Sequence, residues 1–167
     1  PIMAVVALLI KLERRGPVFF SQTRAGQHGT LFTLHKFRTM EVGSEFKGLY
    51  TLEGDPRVTR LGNWLRLTRL DELPQLWSIL VGDMSFVGPR PALFNQHDLI
   101  ELRTKAKVHL LLPGITGWAQ INGRDTLSIK DKVNLDAAYL NQQSFVFDIK
   151  ILCITILKVL KQDGVSH

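Results

Sequence analysis

The sequence has few or none of the residues and motifs that several common classes of protein require. It contains one cysteine, Cys153, in 167 residues, so an internal disulfide cannot form. Because this cysteine lies in an apolar stretch, we expect a packed and unreactive thiol. The five histidines show no zinc-ligand spacing, and neither a Gly-x-Ser-x-Gly elbow nor a glycine-rich phosphate loop is present. These absences argue against disulfide-stapled folds, zinc enzymes, elbow-type serine hydrolases and P-loop enzymes.

No apolar run is long enough to cross a membrane. A spanning helix needs about 20 apolar residues, and the apolar start of this chain gives way to the charged residues Lys11, Glu13 and Arg14. A signal peptide is not indicated, because no basic region precedes the apolar run and no small-residue cleavage site follows it. We expect an apolar helix over residues 1–12. The start on Pro1, without methionine, leads us to expect a truncated segment.

The charge balance indicates an anionic partner. Lysine and arginine number 21 against 15 for aspartate and glutamate, which gives a net charge of +6. Such an excess is typical of proteins that bind nucleic acid, acidic lipid or phosphorylated substrates. The arginines are not interleaved with stacking aromatics, and no nucleic-acid recognition pattern is present. We therefore expect no nucleic-acid partner, while lipid and phosphorylated substrates stay open.

The residue pattern predicts an α+β fold that is mostly helical, with a small antiparallel β-hairpin. Strand-forming residues on both sides of a glycine-containing turn predict the hairpin over residues 17–40. Apolar residues at helical spacing predict the helices, which cover residues 1–12, 59–70, 71–80, 92–111, 128–141 and 145–161. The other predicted segments are a loop over residues 41–55, a turn-rich connector over 81–91, and a glycine-rich loop over 113–123 with an extended piece at 118–121.

The last predicted helix, residues 145–161, has a broad apolar face and a narrow polar edge. Ile149, Leu152 and Ile156 lie on the apolar face, and Ile151 widens it. Such a helix fits the core of an ordinary protein, and it also fits a helix that lies in a membrane interface. The residues of this helix alone leave both alternatives open.

Two adjacent carboxylates, Asp71 and Glu72, stand at the predicted start of the helix over residues 71–80. The positive end of a helix dipole lowers the pKa of an N-cap aspartate, and the same helix end attracts phosphate. An ionised aspartate beside a phosphoryl group can act as a nucleophile, and adjacent carboxylates can hold Mg²⁺. The alternative is a plain helix cap beside a solvated glutamate. These two residues alone do not exclude it.

Basic residues accompany the acidic pair. In Pro89-Arg90-Pro91 the prolines stiffen the backbone on both sides of Arg90, which suits a guanidinium that binds phosphate; the alternative is a rigid surface turn. Lys36 and Arg38 alternate on the returning strand of the hairpin and therefore share a face. Further basic residues are Arg57, Arg60, Arg66, Arg69 and Arg124. Each can be an ordinary surface charge, but their crowding favours a polyanion site.

Several longer blocks of sequence resemble a known family. They are KFRTM (36–40), DPRVTRLG (55–62), LDELPQLW (70–77), GDMSFVGPRP (82–91), PGITGWAQINGR (113–124) and LKVLK (157–161). In this order, along nearly the whole chain, they resemble the bacterial sugar transferases. More closely, they resemble the monotopic polyprenyl-phosphate phosphoglycosyl transferases that initiate glycoconjugate assembly. One departure is Leu112, where the family usually has arginine or lysine.

The resemblance implies a two-step reaction. Asp71 would attack the sugar-linked phosphate of a UDP-sugar and release UMP, and polyprenyl (undecaprenyl) phosphate would then accept the sugar phosphate. Mg²⁺, held by Asp71 and Glu72, would assist by neutralising phosphate oxygens. The resemblance also implies substrate-binding roles for Lys36, Arg38, Arg66, Arg90, Arg124 and Asp136. It identifies neither the sugar nor the oligomeric state.

The resemblance further implies a place at the bacterial inner membrane, on its cytoplasmic face. Residues 1–12 would be the returning half of a re-entrant membrane helix, and residues 13–167 a single catalytic domain. Arg14 and Arg15 would then lie at the cytoplasmic surface, and the helix over 145–161 would rest on the membrane. The remaining alternative is a catalytically silent membrane scaffold of the same fold, against which the intact acidic pair argues.

Overall fold

The computed structural model describes residues 1–44, 55–123 and 126–161. Its helices and strands there are α1 (Ile2–Glu13), β1 (Phe19–Ala25), β2 (Leu31–Phe37), α2 (Arg60–Leu67), α3 (Gln75–Leu80), β3 (Ser85–Val87), α4 (His97–Lys105), β4 (Gly114–Thr116), α5 (Trp118–Ile121), α6 (Ile129–Gln142) and α7 (Phe145–Lys161). The predicted α+β fold, mostly helical with a small antiparallel hairpin of β1 and β2, is confirmed. Among the described residues, no helix is long and apolar enough to cross a membrane.

Two compact units make up the described part of the chain. The first contains residues 1–21 and 35–76, and the second contains residues 22–34 and 77–161. The strands of the hairpin pass from one unit into the other, and so does α3. The predicted division into a membrane segment and a catalytic domain concerns membrane insertion, and it stays a prediction.

The core of the first unit joins α1, α2 and the end of β2. Val6, Ile10, Phe37 and Leu65 form its buried centre. Glu13, at the end of α1, accepts a hydrogen bond from a backbone N–H in the first turn of α2 at 2.9 Å. This contact satisfies one of the N–H groups that have no partner within the helix. Apolar packing and the capping carboxylate together hold the two helices side by side.

A glycine lets α2 approach the chain that follows β2. Thr59 is the N-cap of α2, and its Oγ1 accepts a hydrogen bond from the backbone N–H of Gly62 at 2.9 Å. A Cβ atom on Gly62 would collide with the backbone carbonyl of Thr39. The absence of a side chain at Gly62 is therefore required by packing, although glycine is a poor helix former.

In the second unit, two of the blocks that carry the family resemblance pack backbone against backbone. β3 pairs in parallel with β4, with Val87 opposite Thr116. Just beyond the paired residues, a Cβ atom on Gly117 would collide with the carbonyl of Gly88. The segment Pro89-Arg90-Pro91 leaves directly from this close contact. Its position is therefore fixed by the strand pair before it.

The helix α7 has two unlike faces. Ile151 is fully buried in a core that it shares with Tyr139. By contrast, Phe145 and Leu160 are 81% and 75% exposed. Cys153 is exposed as well, contrary to the packed thiol predicted, because it lies outside the buried stripe of the helix. One face of α7 thus packs in the core, and the placement of the other face on a membrane stays a prediction.

Other differences from the sequence prediction concern short elements. The predicted connector over residues 81–91 contains β3, which is too short to give an alternation signal. The piece predicted as extended at 118–121 is the short helix α5. The predicted helix over 92–111 begins later, at His97. The predicted loop over 41–55 lies mostly outside the described residues.

We expect Gly62→Ala to lower the free energy of unfolding by about 1–3 kcal/mol, the usual cost of overpacking. In an unobstructed helix the same change would raise the free energy of unfolding by up to about 1 kcal/mol. The effect that we expect is therefore opposite in sign to the one that helix propensity alone predicts. Denaturant unfolding followed by circular dichroism measures the change. The control is Asn63→Ala at the exposed neighbouring position, which should alter stability by less than about 0.5 kcal/mol. A stabilised Gly62→Ala variant would contradict the packing described.

Candidate active site

The acidic pair lies in a 3₁₀ turn, Leu70–Glu72, that precedes α3. The turn follows Arg69, whose φ of 59° and ψ of 13° lie in the left-handed region that non-glycine residues seldom adopt. Asp71 and Glu72 are 8% and 6% exposed. The helix predicted from Asp71 is divided into this 3₁₀ turn and α3, which begins only at Gln75. Asp71 is therefore not a helix N-cap, which corrects the sequence prediction.

Lys36 forms an ion pair with the second acid. Its Nζ donates to Oε1 of Glu72 at 2.6 Å, and the two side chains are only 18% and 7% exposed. Charges withdrawn from water are screened far less by salt than exposed ones. Lys36 stands near the end of β2, so the hairpin brings this cation to an acid that is 36 residues away in sequence.

Burial has the largest effect on the ionisation of Asp71. It raises the pKa of this carboxyl above the ordinary value of 3.8, whereas the charge of Lys36 lowers the pKa. The charge of Glu72 raises the pKa as well, and the charges of Arg66 and Arg69 lower it. The lowered pKa predicted from a helix dipole is wrong, because Asp71 is buried and is not a cap. Of the cations predicted around Asp71, Lys36, Arg66 and Arg69 act on its pKa.

Arg66 and Arg38 belong to the same unit but are held in different ways. Arg66 donates from Nε to Oγ1 of Thr39 at 2.9 Å. Burial lowers the pKa of Arg66, and the negative charge of Asp71 opposes this shift. Arg38 instead donates to the carbonyl oxygens of the two residues that follow α1, at 2.9 and 3.2 Å. The charge of Arg66 therefore acts on Asp71, whereas the side chain of Arg38 satisfies carbonyls at the end of α1.

The second unit contains the predicted residues Arg90 and Asp136, which share one partner, Arg103. Arg103 donates to Oδ2 of Asp136 from Nε at 3.0 Å and from Nη2 at 2.7 Å. It also donates from Nη1 to the carbonyl oxygen of Arg90 at 2.7 Å. Asp136 is 1% exposed, and burial raises its pKa while the charge of Arg103 opposes the shift. The predicted substrate-binding roles of Arg90 and Asp136 stay predictions, and Arg124 lies outside the described residues.

The acidic pair fits a bound Mg²⁺. Among the described residues, no group of three or more histidine, cysteine, aspartate or glutamate side chains could hold a metal. Oδ1 of Asp71 is buried, however, and has no hydrogen-bond partner in the part of the chain that the structure describes. Mg²⁺ prefers oxygen ligands and is commonly held by one or two carboxylates together with water and substrate phosphates. Asp71 and Glu72 supply such oxygens.

Three residues near the predicted ones have a place in the structure that the sequence alone does not indicate. Arg69 is one of several basic residues in the sequence, and in the structure its charge acts on Asp71. Arg103 gave no signal, because a buried ion pair between separate helices leaves no local pattern. Gln75 is 3% exposed, and its spacing of four residues from Asp71 is the one signal that could have identified it.

Comparison with known sequences settles the family. The profile described as "Bacterial sugar transferase" matches residues 1–162. The chain belongs to the bacterial sugar transferase family. The family resemblance predicted from the sequence blocks is thus confirmed.

Individual members of the family align over nearly all of this chain. The sugar transferase EpsL of Bacillus subtilis (strain 168) is 47% identical over 95% of the chain and 78% of its own length. The UDP-glucose:undecaprenyl-phosphate glucose-1-phosphate transferase of Escherichia coli (strain K12) is 46% identical over 95% of the chain and 36% of its own length. The UDP-N-acetylgalactosamine-undecaprenyl-phosphate N-acetylgalactosaminephosphotransferase of Aeromonas hydrophila is 40% identical over 98% of the chain. The chain spans 40% of that protein.

Removal of the lysine should destabilise the first unit in a pH-dependent way. We expect Lys36→Met to lower the free energy of unfolding by about 3 kcal/mol at pH 8, because breaking a buried pair leaves an uncompensated charge. Without Lys36 the pKa of Asp71 rises further. When the pKa of a carboxyl is higher in the folded state than in the unfolded state, the group stabilises the folded protein. This stabilisation is complete at pH values below the unfolded-state pKa and is lost as the pH rises through the folded-state pKa. The deficit should therefore shrink as the pH is lowered from 8 towards 4.

The matched control for Lys36→Met is Lys105→Met. Lys105 pairs with Glu101 at the same 2.6 Å, but their side chains are 68% and 66% exposed. Exposed pairs of this kind contribute about 0.3–0.5 kcal/mol, so this variant should be nearly as stable as the parent. Denaturant titrations of both variants at several pH values give the comparison. Equal losses in the two variants would show that burial adds nothing to the pair at Lys36.

Proposed function

We propose that this chain transfers a sugar-1-phosphate from a UDP-sugar to polyprenyl phosphate, releases UMP, and does so through a covalent intermediate on Asp71. The observation that carries the proposal is the buried acidic pair with three cations acting on it, Lys36, Arg66 and Arg69. A carboxylate with this environment suits attack on a phosphorus atom that is surrounded by negative oxygens. The names of two relatives, the Escherichia coli and Aeromonas hydrophila proteins, are those of undecaprenyl-phosphate sugar-phosphate transferases and support the reaction class.

In the first step, a carboxylate oxygen of Asp71 forms a bond to the sugar-linked phosphorus, and the bond between that phosphorus and the oxygen of UMP breaks. The electron pair leaves with UMP. In the second step, an oxygen of polyprenyl phosphate attacks the same phosphorus. The bond to Asp71 then breaks, the carboxylate returns, and the sugar is linked to the lipid through a diphosphate. Division into two displacements is the usual advantage of a covalent nucleophile.

The cations near Asp71 have two effects in this scheme. They oppose the pKa increase that burial causes and so help to keep Asp71 ionised. They also offset the negative charge that gathers on the phosphoryl oxygens in the transition state. Lys36 is fixed by its ion pair with Glu72, and Arg66 by its hydrogen bond to Thr39. Their charges are thus in place before the substrate binds.

We further propose that Asp71 and Glu72 hold Mg²⁺ and that the substrate-binding roles implied by the resemblance apply. When bound, the ion would supply positive charge to the oxygens of the diphosphate. Arg90, Arg124 and Asp136 would bind parts of the donor or acceptor. For Arg38, whose donors reach the end of α1, the geometry supports this role least.

The polyprenyl acceptor requires a membrane surface. On α1, Ile2, Val5 and Leu8 are 60%, 57% and 59% exposed, which is unusual for the apolar side of a helix in water. On α7, Phe145 and Leu160 are exposed too. We propose that these faces rest in or on the cytoplasmic side of the inner membrane. Two of the relatives named above have undecaprenyl phosphate, a membrane lipid, in their names, which supports membrane association.

UMP release tests this function. The full protein, reconstituted in nanodiscs with Mg²⁺ and undecaprenyl phosphate, would receive UDP-glucose, UDP-galactose or UDP-N-acetylgalactosamine in turn. We expect lipid-dependent UMP from at least one donor, which would also name the sugar. Folded and membrane-bound protein that releases no UMP from any donor would favour the alternative, a silent scaffold.

Asp71→Asn should separate activity from stability. We expect turnover to fall by at least about 10⁴-fold, as for the loss of other nucleophiles. The free energy of unfolding at pH 8 should rise, because burial of the ionised Asp71 is unfavourable, as its raised pKa indicates. This difference should vanish as the pH falls below the pKa of the unfolded aspartate.

The control is Asp98→Asn on the exposed first turn of α4, which should change neither turnover nor stability appreciably. UMP release and thermal unfolding at pH 8 and pH 4 measure both quantities. An Asp71→Asn variant that is inactive because it unfolds, with a lower melting temperature than the parent, would contradict the assignment of Asp71 as a destabilising nucleophile.

A further inference from the structure

Gln75 is a buried amide with an unused hydrogen-bond donor. It is the first residue of α3 and is 3% exposed. Its Nε2 is buried and has no hydrogen-bond acceptor among residues 1–44, 55–123 and 126–161. Buried polar groups in native proteins are nearly always paired, because an unpaired one loses its hydration without compensation. A donor left in this state indicates that something else binds it.

Other glutamines of the chain show what a structural role looks like here. Nε2 of Gln27 donates to the carbonyl oxygen of Leu110 at 2.7 Å. Oε1 of Gln96 accepts from the backbone N–H of Leu93 at 2.8 Å. The first bond joins two distant segments of the second unit, and the second closes a short turn. Gln75 is more deeply buried than either, yet its Nε2 donates to no acceptor in the described part of the chain.

The position of Gln75 explains what it could bind. The 3₁₀ turn Leu70–Glu72 leads directly into α3, which begins at Gln75, so Gln75 follows Asp71 by four residues within the first unit. Oδ1 of Asp71 is likewise buried and has no hydrogen-bond partner among the described residues. A donor and an acceptor, both buried and both unused, thus belong to one short segment of the first unit.

We propose that Gln75 is a further substrate-binding residue, whose amide N–H donates to a non-bridging oxygen of the phosphoryl group that Asp71 attacks. This inference rests on the proposed function. The bond to phosphorus forms at the Asp71 oxygen while the bond to UMP breaks, and Gln75 holds an oxygen that neither gains nor loses a bond. Such a donor stabilises the charge that develops on that oxygen.

A neutral amide suits this position better than another cation. An additional positive charge beside Asp71 would lower the nucleophilicity of the carboxylate along with its pKa. The amide donates a hydrogen bond without a net charge, so it stabilises the phosphoryl oxygens and leaves the carboxylate reactive. The same contact would persist when the sugar phosphate is attached to Asp71, and it would orient that group towards the second displacement.

The test is a burst experiment on the full protein in nanodiscs. With Mg²⁺ and the active UDP-sugar but without polyprenyl phosphate, the first step releases one UMP for each enzyme molecule. We expect Gln75→Met, which preserves the side-chain size and removes the donor, to slow the burst by about 10²–10³-fold. Its melting temperature should be equal to or above that of the parent, because a buried unpaired donor has been removed.

Two further variants sharpen the test. Gln75→Glu should be slower than Gln75→Met at pH 8, where an added carboxylate repels the phosphate. The burst rate of Gln75→Glu should increase relative to that of Gln75→Met as the pH is lowered, because a protonated glutamate can again donate a hydrogen bond. Gln27→Met, in which a satisfied amide is removed, should show the opposite pattern, with an unchanged burst and a slightly lower melting temperature.

The outcomes separate this inference from the proposed function. If the parent shows no burst with any donor, the proposed function fails. If the parent shows a burst and Gln75→Met is equally fast, the function stands and the role of Gln75 is wrong. A slow Gln75→Met burst accompanied by a large fall in melting temperature, with no recovery in Gln75→Glu at lower pH, would assign Gln75 to the core and overturn the proposal.

Discussion

Burial of two adjacent carboxylates is the constraint on which the first unit depends. Asp71 and Glu72 are withdrawn from water together, which is unfavourable for both unless positive charge accompanies them. Lys36 supplies that charge at 2.6 Å from Glu72, and Arg66 and Arg69 add to it. The pair is not fully compensated, because the pKa of Asp71 is still raised. The nucleophilic role that we propose for Asp71 uses that residual instability, in line with the general trade-off between stability and activity.

The fold of the first unit can be understood as the means of holding these charges. The end of β2 carries Lys36, and the neighbouring Phe37 anchors it in the core with Leu65 of α2. One residue further along α2, Arg66 binds Thr39 just beyond the strand. Gly62 allows the helix to approach that same stretch of backbone. A single left-handed residue, Arg69, then turns the chain so that the acids face inwards, a strained conformation of the kind that often marks functional sites.

The sequence was sufficient to predict what depends on local pattern. The hairpin and the helices α2, α6 and α7 follow from periodicity and turn residues, and the crowding of basic residues in the sequence indicates the cations near Asp71. What it could not reveal depends on contacts between distant segments. The ion pair of Lys36 with Glu72, the burial that reverses the pKa shift expected for Asp71, and the bond of Arg103 to Asp136 leave no periodic signal. The strands β3 and β4 are three residues each, too short for alternation to predict them.

The covalent role proposed for Asp71 can be tested by mass spectrometry of the intact protein and of its peptides. The reconstituted protein would be incubated with Mg²⁺ and the active UDP-sugar in the absence of polyprenyl phosphate, and then digested to locate any modification. We expect a mass increase of one sugar phosphate on the peptide that contains Asp71. This increase should be absent in Asp71→Asn and should be lost when polyprenyl phosphate is added. Lipid-dependent UMP release from protein that never carries the modification, or a modification on another residue, would contradict it.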